Sequence, residues 1–172
     1  MEYRLVEKED CIAISEYYTR NASHFRKWQP RHAHDFHSVA SWNRRIEVCV
    51  KEQSKGVAYY FVAANEGKIY GHCNLSQISR GAFQAAYMGY GVCHTCEGTG
   101  MAYKLASKAV RFAFFEAKLH RVMANYMPHN NRSAKLLFRL GFKKEGFAKN
   151  YLKINGRWEG HVLTSLLNQS HA

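Results

Sequence analysis

The chain has 172 residues, 47% of them hydrophobic and 14% aromatic, and a formal net charge of +12. That supports one domain over 1–172 with a full core and argues against disorder. No run of about 18 apolar residues occurs, so no membrane helix or membrane partner is expected.

The charged start "MEYRLVEKED" has no secretory apolar core, so a soluble, cytoplasmic protein is expected. The five cysteines (11, 49, 73, 93, 96) are an odd count and read as reduced thiols. The positive charge favours an anionic partner: nucleic acid, a phosphorylated cofactor or an acidic substrate. It is densest in "HRVMANYMPHNNRSAKLLFRLGFKK" (120–144).

"EYRLV" (2–6) reads as a first strand. Asp10 is placed as N-cap of a helix carrying Ile12, Ile14, Tyr17 and Tyr18. "HFRKWQPRHAHD" (24–35) reads as a loop around Pro30. A second helix is expected over 35–53, with Phe36, Val39, Trp42, Ile46 and Val50 near helical spacing.

The period then changes to that of strands, on both sides of the turn Asn65-Glu66-Gly67. A third strand is expected at 82–92. A long helix is expected over 98–118, through Met101, Leu105, Ala109, Phe112 and Phe115. A short strand at 121–126 follows. "NRSAKLLFRLG" reads as a helix ended by Gly141, with Phe138, Leu140 and Phe142 in the core. Residues 147–167 read as a hairpin on the Asn155-Gly156 turn. The order β-α-α-β-β-β-α-β-α-β-β makes the fold α/β.

"GVCHTCEGTGMA" (91–102) carries two readings. Cys93 and Cys96 have the spacing of a metal knuckle or redox pair. Structural zinc needs four ligands, and His32, His34, His37 and His72 match no zinc spacing, so no metal is expected. Gly98-Thr99-Gly100-Met101-Ala102, between a strand and a helix, instead offers small residues and free N–H groups to a pyrophosphate.

The segment from 87 to 167 resembles the GNAT acetyltransferase superfamily and, within it, the RimJ branch of ribosomal-protein-alanine N-acetyltransferases. "ISRGAFQAAYMGYGV" is similar to the family's central strands. "EGTGMA" stands where the family has Gln/Arg-x-x-Gly-x-Gly/Ala. Residues 120–167 resemble the branch almost continuously, and weaker similarity reaches back through "NASHFRKWQP".

The resemblance implies a mixed, splayed, mainly antiparallel sheet with about four helices. It implies acetyl-CoA as co-substrate, in a gap between the strand ending at Val92 and the strand at 121–126. The pantetheine arm would pair with the first strand, and the pyrophosphate would meet residues 98–102. Val92, Glu97, Gly98, Thr99, Gly100, Met101, Ala102, Asn125 and Asn130 are the implied cofactor contacts. The chain departs from the pattern at Glu97, where the family has Gln or Arg, and at Gly160, aligned with an Asp of the branch.

The implied reaction is direct attack of an amine on the acetyl thioester through a tetrahedral intermediate. An α-amine, with a pKa of about 7.7–8.0, needs only a modest base, unlike a lysine near ~10.4. By resemblance, Val92 N–H would donate to the oxyanion and Ser133 would act as acid at the thiolate. Glu159 and His161 are candidate bases, beside a water relay with no dedicated base. Tyr87 and Tyr90 read as core or acceptor contacts. Trp28 and Arg31 sit in the loop where such enzymes admit the acceptor.

The implied acceptor is the N-terminal alanine of a small-subunit ribosomal protein, with contact to the ribosome or its RNA. Another amine, such as a polyamine, and a non-catalytic ribosome-assembly or RNA-binding role are the alternatives. Monomer and dimer stay open.

Overall fold

The computed structural model describes residues 1–171. Its centre is one seven-stranded sheet in the order β1-β2-β3-β4-β5-β7-β6. The strands are β1 (Glu2–Leu5), β2 (Tyr59–Asn65), β3 (Lys68–Ser79), β4 (Ala85–Val92), β5 (Arg121–Met123), β6 (Lys143–Ile154) and β7 (Arg157–Leu167). The helices are α1 (Cys11–Arg20), α2 (Ala22–Phe25), α3 (Val39–Lys55), α4 (Met101–Phe115) and α5 (Asn131–Arg139). None is long and apolar enough to cross a membrane. Every strand pair is antiparallel except β4–β5. A parallel pair needs a crossover, and α4 supplies it.

Helices cover both faces, so β2 is buried continuously through Phe61, Val62, Ala63 and Ala64 rather than alternating. On one face, Leu105, Ala106, Ala109 and Ala113 of α4 pack on Phe61, Cys73, Leu75, Ala86 and Val122. The small alanines let the helix axis approach the sheet. On the other face, Ile14 and Tyr17 of α1 and Trp42 and Ile46 of α3 cover Val62 and Ile69. Asp10 stands at the N-cap position of α1, as expected, but its side chain makes no cap hydrogen bond to the helix. Its carboxylate accepts from both Nη atoms of Arg4 at 2.7 Å and from Glu7 N–H at 2.9 Å, tying β1 to the start of the helix.

The parallel pair is short. β4 and β5 are in register only at Ala85↔Arg121, Ala86↔Val122 and Tyr87↔Met123. Beyond that point the chain after β5 follows β7: Ala124 N–H donates to Thr164, and Tyr126 exchanges bonds with Val162. β4 instead stays with β3 up to Gly71↔Val92. Cys93 N–H donates to the Tyr70 carbonyl at 2.7 Å, which sets the phase of that ladder. Alternate residues of a strand turn their backbone groups to opposite sides. Tyr90 and Val92 therefore point theirs into the gap left by β5.

Several elements differ from expectation. The segment read as a loop from residue 24 includes the end of the one-turn helix α2. α3 starts at Val39, where the Ser38 hydroxyl caps Ser41 N–H at 3.1 Å. α4 starts at Met101 because Gly98 and Gly100 have φ of 75° and 82°. It ends at Phe115, and Lys118 turns the chain at φ 53°. β4 begins at Ala85, β5 is three residues long, and the last hairpin begins earlier, at Lys143.

Phe138 is not core: it is 77% exposed, and Phe115 is 58% exposed, whereas Phe142 is buried. α5 buries only Leu137 fully. The next position is rotated by about 100° and faces outward.

One polar group is enclosed where α1 meets the sheet. The Tyr17 hydroxyl donates to the Gly91 carbonyl at 3.2 Å and lies 3.0 Å from His72 Nδ1. The rings of Tyr17, Tyr18 and Phe25 surround His72, and a Cβ on Gly91 would lie 2.7 Å from its ring. Removal from water pushes the His72 pKa from 6.5 down to about 4.

The folded-state pKa of this base is depressed, so its contribution is complete above the unfolded value. It is lost as pH falls, because the unfolded chain takes up the proton first. Between pH 6.5 and about 4 this group should remove about 3 kcal/mol of stability. Urea unfolding of the parent and of His72→Gln across that range checks it. The variant, less stable at neutral pH, should show a shallower fall.

Candidate active site

The turn from β4 into α4 has the small residues and open backbone that suit a negatively charged ligand. After Val92 the chain makes a 3-10 turn, His94–Cys96, and passes through Gly98 and Gly100 in the left-handed region. A Cβ on either glycine would meet no atom within 4 Å, so the loop opens onto free space. The first N–H groups of α4 are at its positive end.

Facing this loop is the start of α5. Asn130 Oδ1 accepts from Ser133 N–H at 3.1 Å and caps the helix. That cap orients Ser133, whose Oγ is 2.5 Å from the Tyr90 hydroxyl. Burial raises the Tyr90 pKa above its ordinary value, against the pull of the Ser133 hydrogen bond, so the phenol stays protonated.

These elements enclose a cavity of about 430 Å³. Its lining includes Trp28, Tyr90, Val92, Glu97, Gly98, Gly100, Ala102, Asn130 and Ser133 from the sequence-derived set. It also includes His24, Tyr103, Arg132, Lys135 and Arg139, which the sequence reading did not single out. A larger hollow of about 550 Å³ lies between α1, α3 and strands β2 and β3, but it contains neither the glycine turn nor Ser133.

Glu97 is not an isolated charge against the phosphate turn. One carboxylate oxygen pairs with Arg132 of α5, and the other lies 3.3 Å from His24 Nε2 of α2. The carboxylate thus fastens two helices across the turn. Burial lowers the His24 pKa while Glu97 pulls it up. Three cations, Arg132, Lys135 and Arg139, share one face of α5 at i, i+3 and i+7. That spacing is readable in the sequence.

Other sequence-derived residues lie elsewhere. Thr99 Oγ1 donates to the Cys96 carbonyl at 2.7 Å, within the turn. Met101 is buried. Asn125 Oδ1 accepts from Thr164 N–H, and its Nδ2 donates to the Tyr151 hydroxyl, both at 3.3 Å. Tyr151 also lies beside Tyr87, which helps burial to raise its pKa, and packs on His161 at 5.6 Å, so it joins Tyr87, Asn125 and His161. None of these four lines the 430 Å³ cavity, and neither does Glu159.

A Cβ on Gly160 would lie 2.5 Å from the Phe147 ring, so an Asp at this position would require that ring to move. Arg31 lies on the Gly156 turn of the β6–β7 hairpin. Cys93 Sγ meets Thr95 Oγ1 at 3.3 Å. Among the described residues no group of three or more His, Cys, Asp or Glu is arranged to hold a metal.

The model of the acetyltransferase (GNAT) domain matches residues 1–143. The chain belongs to the GNAT acetyltransferase family. It is 39% identical over 165 residues to the [ribosomal protein uS5]-alanine N-acetyltransferase of Escherichia coli K12, covering 95% of this chain and 85% of that protein. The ribosomal-protein-S5-alanine acetyltransferase structure from Vibrio fischeri matches with a TM-score of 0.94 and 39% identity, over 97% of this chain and 92% of that one. Mycobacterium smegmatis RimJ in complex with a CoA disulfide matches with a TM-score of 0.91 and 28% identity, over 98% and 82%.

GNAT enzymes use acetyl-CoA, and the residues here fit that group. The open glycine turn, the helix start and the α5 cations suit its phosphates, and the free edge of β4 suits an amide-bearing arm. Glu97→Gln removes a carboxylate beside those phosphates and releases Arg132. It should lower the Kd for coenzyme A several-fold in isothermal titration at low salt, with the difference shrinking as salt screens it. Weaker binding would mean instead that the Glu97 clamp organises the turn.

Proposed function

We propose that this protein acetylates the N-terminal α-amine of a ribosomal protein, an alanine of the uS5 type, with acetyl-CoA as donor. The relatives in E. coli and V. fischeri carry that activity in their names. The observation that carries the reading is the Asn130–Ser133–Tyr90 chain, set beside the unpaired edge of β4.

Each residue then has a task. The Val92 N–H, turned into the gap, donates to the oxygen on which negative charge develops. A fixed backbone donor of this kind is often worth a factor of about 10²–10³. Ser133, held by Asn130, hands a proton or hydrogen bond to the departing sulfur. Tyr90, kept protonated by burial, supports the Ser133 hydroxyl. Trp28 lines the cavity and stacks on His129 at 5.6 Å, giving the acceptor an apolar wall. The attacking α-amine is already partly neutral near pH 7.5, so transfer of its proton to water suffices.

A polycationic acceptor fits less well. Arg132, Lys135 and Arg139 line the cavity, against the single carboxylate of Glu97. The likeness to spermidine acetyltransferase structures, at 19–21% identity, concerns the fold alone.

Two measurements test the proposal. At about 1 mM acetyl-CoA and a Kd near ~1 μM, linkage gives roughly 4 kcal/mol of stabilisation. That should raise the Tm by about 10 °C for a chain of this size. Mass spectrometry should then find the acetyl group on the α-amine of a peptide beginning with alanine, and none on a lysine of the same peptide with its N-terminus blocked. Ser133→Ala should lower kcat about 10²-fold or more with little change in the Kd for coenzyme A. Equal loss in kcat and in cofactor binding would remove Ser133 from the chemistry.

A further inference from the structure

The segment 25–29 that walls the transfer cavity has a second side. Phe25 and Gln29 also line a neighbouring hollow of about 450 Å³. Arg26, Arg31, His32 and His37 face it, with Asn155 of the β6–β7 turn, and among the described residues no carboxylate does. Asp35, the one acid of this loop, is engaged by Arg44 at 3.0 Å. Neither Arg26 nor Arg31 has an ion-pair partner among the described residues. His37 Nδ1, on the same wall, is buried with no hydrogen-bond partner.

Arg31 is also held in place. Its guanidinium lies on Gly156, where a Cβ would sit 2.8 Å from Cζ, and Asn155 N–H donates to the Gln29 carbonyl at 3.0 Å. The loop and the hairpin therefore support each other around the hollow. A positioned guanidinium without a partner is a good receptor for a carboxylate and a poor neighbour for another cation.

The geometry points to this hollow as the seat for the acceptor segment that follows the acetylated residue, with Arg26 and Arg31 selecting acceptors bearing Asp or Glu there. The inference rests on the reading of the chain as an N-terminal acetyltransferase. It adds the class of acceptor: an N-terminal alanine followed by acidic residues.

The test uses three peptides that begin with alanine and differ at positions 2 to 5, carrying Glu, Gln or Lys. With the full chain and acetyl-CoA at low salt, kcat/KM should fall in the order Glu, Gln, Lys. The Glu peptide should exceed the Gln peptide about 10-fold or more, through KM, and the margin should shrink with salt. Arg31→Gln and Arg26→Gln should each reduce the Glu-to-Gln ratio. Arg31→Lys should restore part of it, and Arg31→Glu should turn the preference toward the Lys peptide. Fluorescence anisotropy of labelled peptides on the protein loaded with coenzyme A should give the same order without turnover.

Equal kcat/KM for all three peptides would overturn the inference and leave the transfer reading standing. If no peptide is acetylated, the transfer reading falls, and the anisotropy order alone decides whether the hollow receives carboxylates. If Arg31→Gln weakens binding of a short single-stranded RNA and leaves the peptide ratio unchanged, these cations serve nucleic acid and the proposal is overturned.

Discussion

The structure turns on the parting of two parallel strands. β4 and β5 share only three register positions before β5 is drawn off along β7. What remains is a strand edge inside the molecule, where the backbone groups of Tyr90 and Val92 face away from β3 beyond the last β4–β5 pair. Buried backbone groups do not stay unpaired in a native protein. Such an edge is therefore a demand for a ligand with its own amides. α4 must cross above this gap, and its alanines let it lie close to the strands. Its N-terminus is then delivered to the mouth of the gap, so the helix start and the free strand edge follow from one topological event.

Charge is arranged around the same event. The cations of α5 lie along one helix face above the glycine turn, and one carboxylate, Glu97, stands among them. In isolation Glu97 is an obstacle to a polyanion. Bound to Arg132 and beside His24, it is a counter-ion that keeps like charges from repelling one another before a ligand arrives. The departure from the family pattern at this position is therefore offset only in part, by the partners Arg132 and His24.

Local signals with a strict backbone requirement were legible. Asn155-Gly156 named the hairpin turn, and both residues do have positive φ. Gly98 and Gly100 marked the turn between β4 and α4 but also misled, since they extended the expected helix back to 98 when their left-handed φ forbids it. Phe138 misled in another way. Its apolarity suggested core, but core membership depends on which face of a nine-residue helix meets the sheet. Arg132, Lys135 and Arg139 were visible as charges, and their spacing placed them on one face. Only the meeting of α5 with the β4–α4 turn made that face part of a site. Tyr151 carried no signal at all, because its partners Tyr87, Asn125 and His161 come from three different strands or strand ends.

The bond from Asn155 to Gln29 and the seating of Arg31 on Gly156 join segments that are distant in sequence. Each segment is in direct contact with the other. The glycine at 156 is doubly constrained, by its own φ of 88° and by the arginine above it. A change of acceptor in evolution, or by grafting between relatives, would then have to move the loop and the hairpin together. A chimera that exchanges only one would meet a side chain where Arg31 now lies, or leave Arg31 with nothing to rest on. Loop and hairpin form one heritable module, although the chain encodes them in two places.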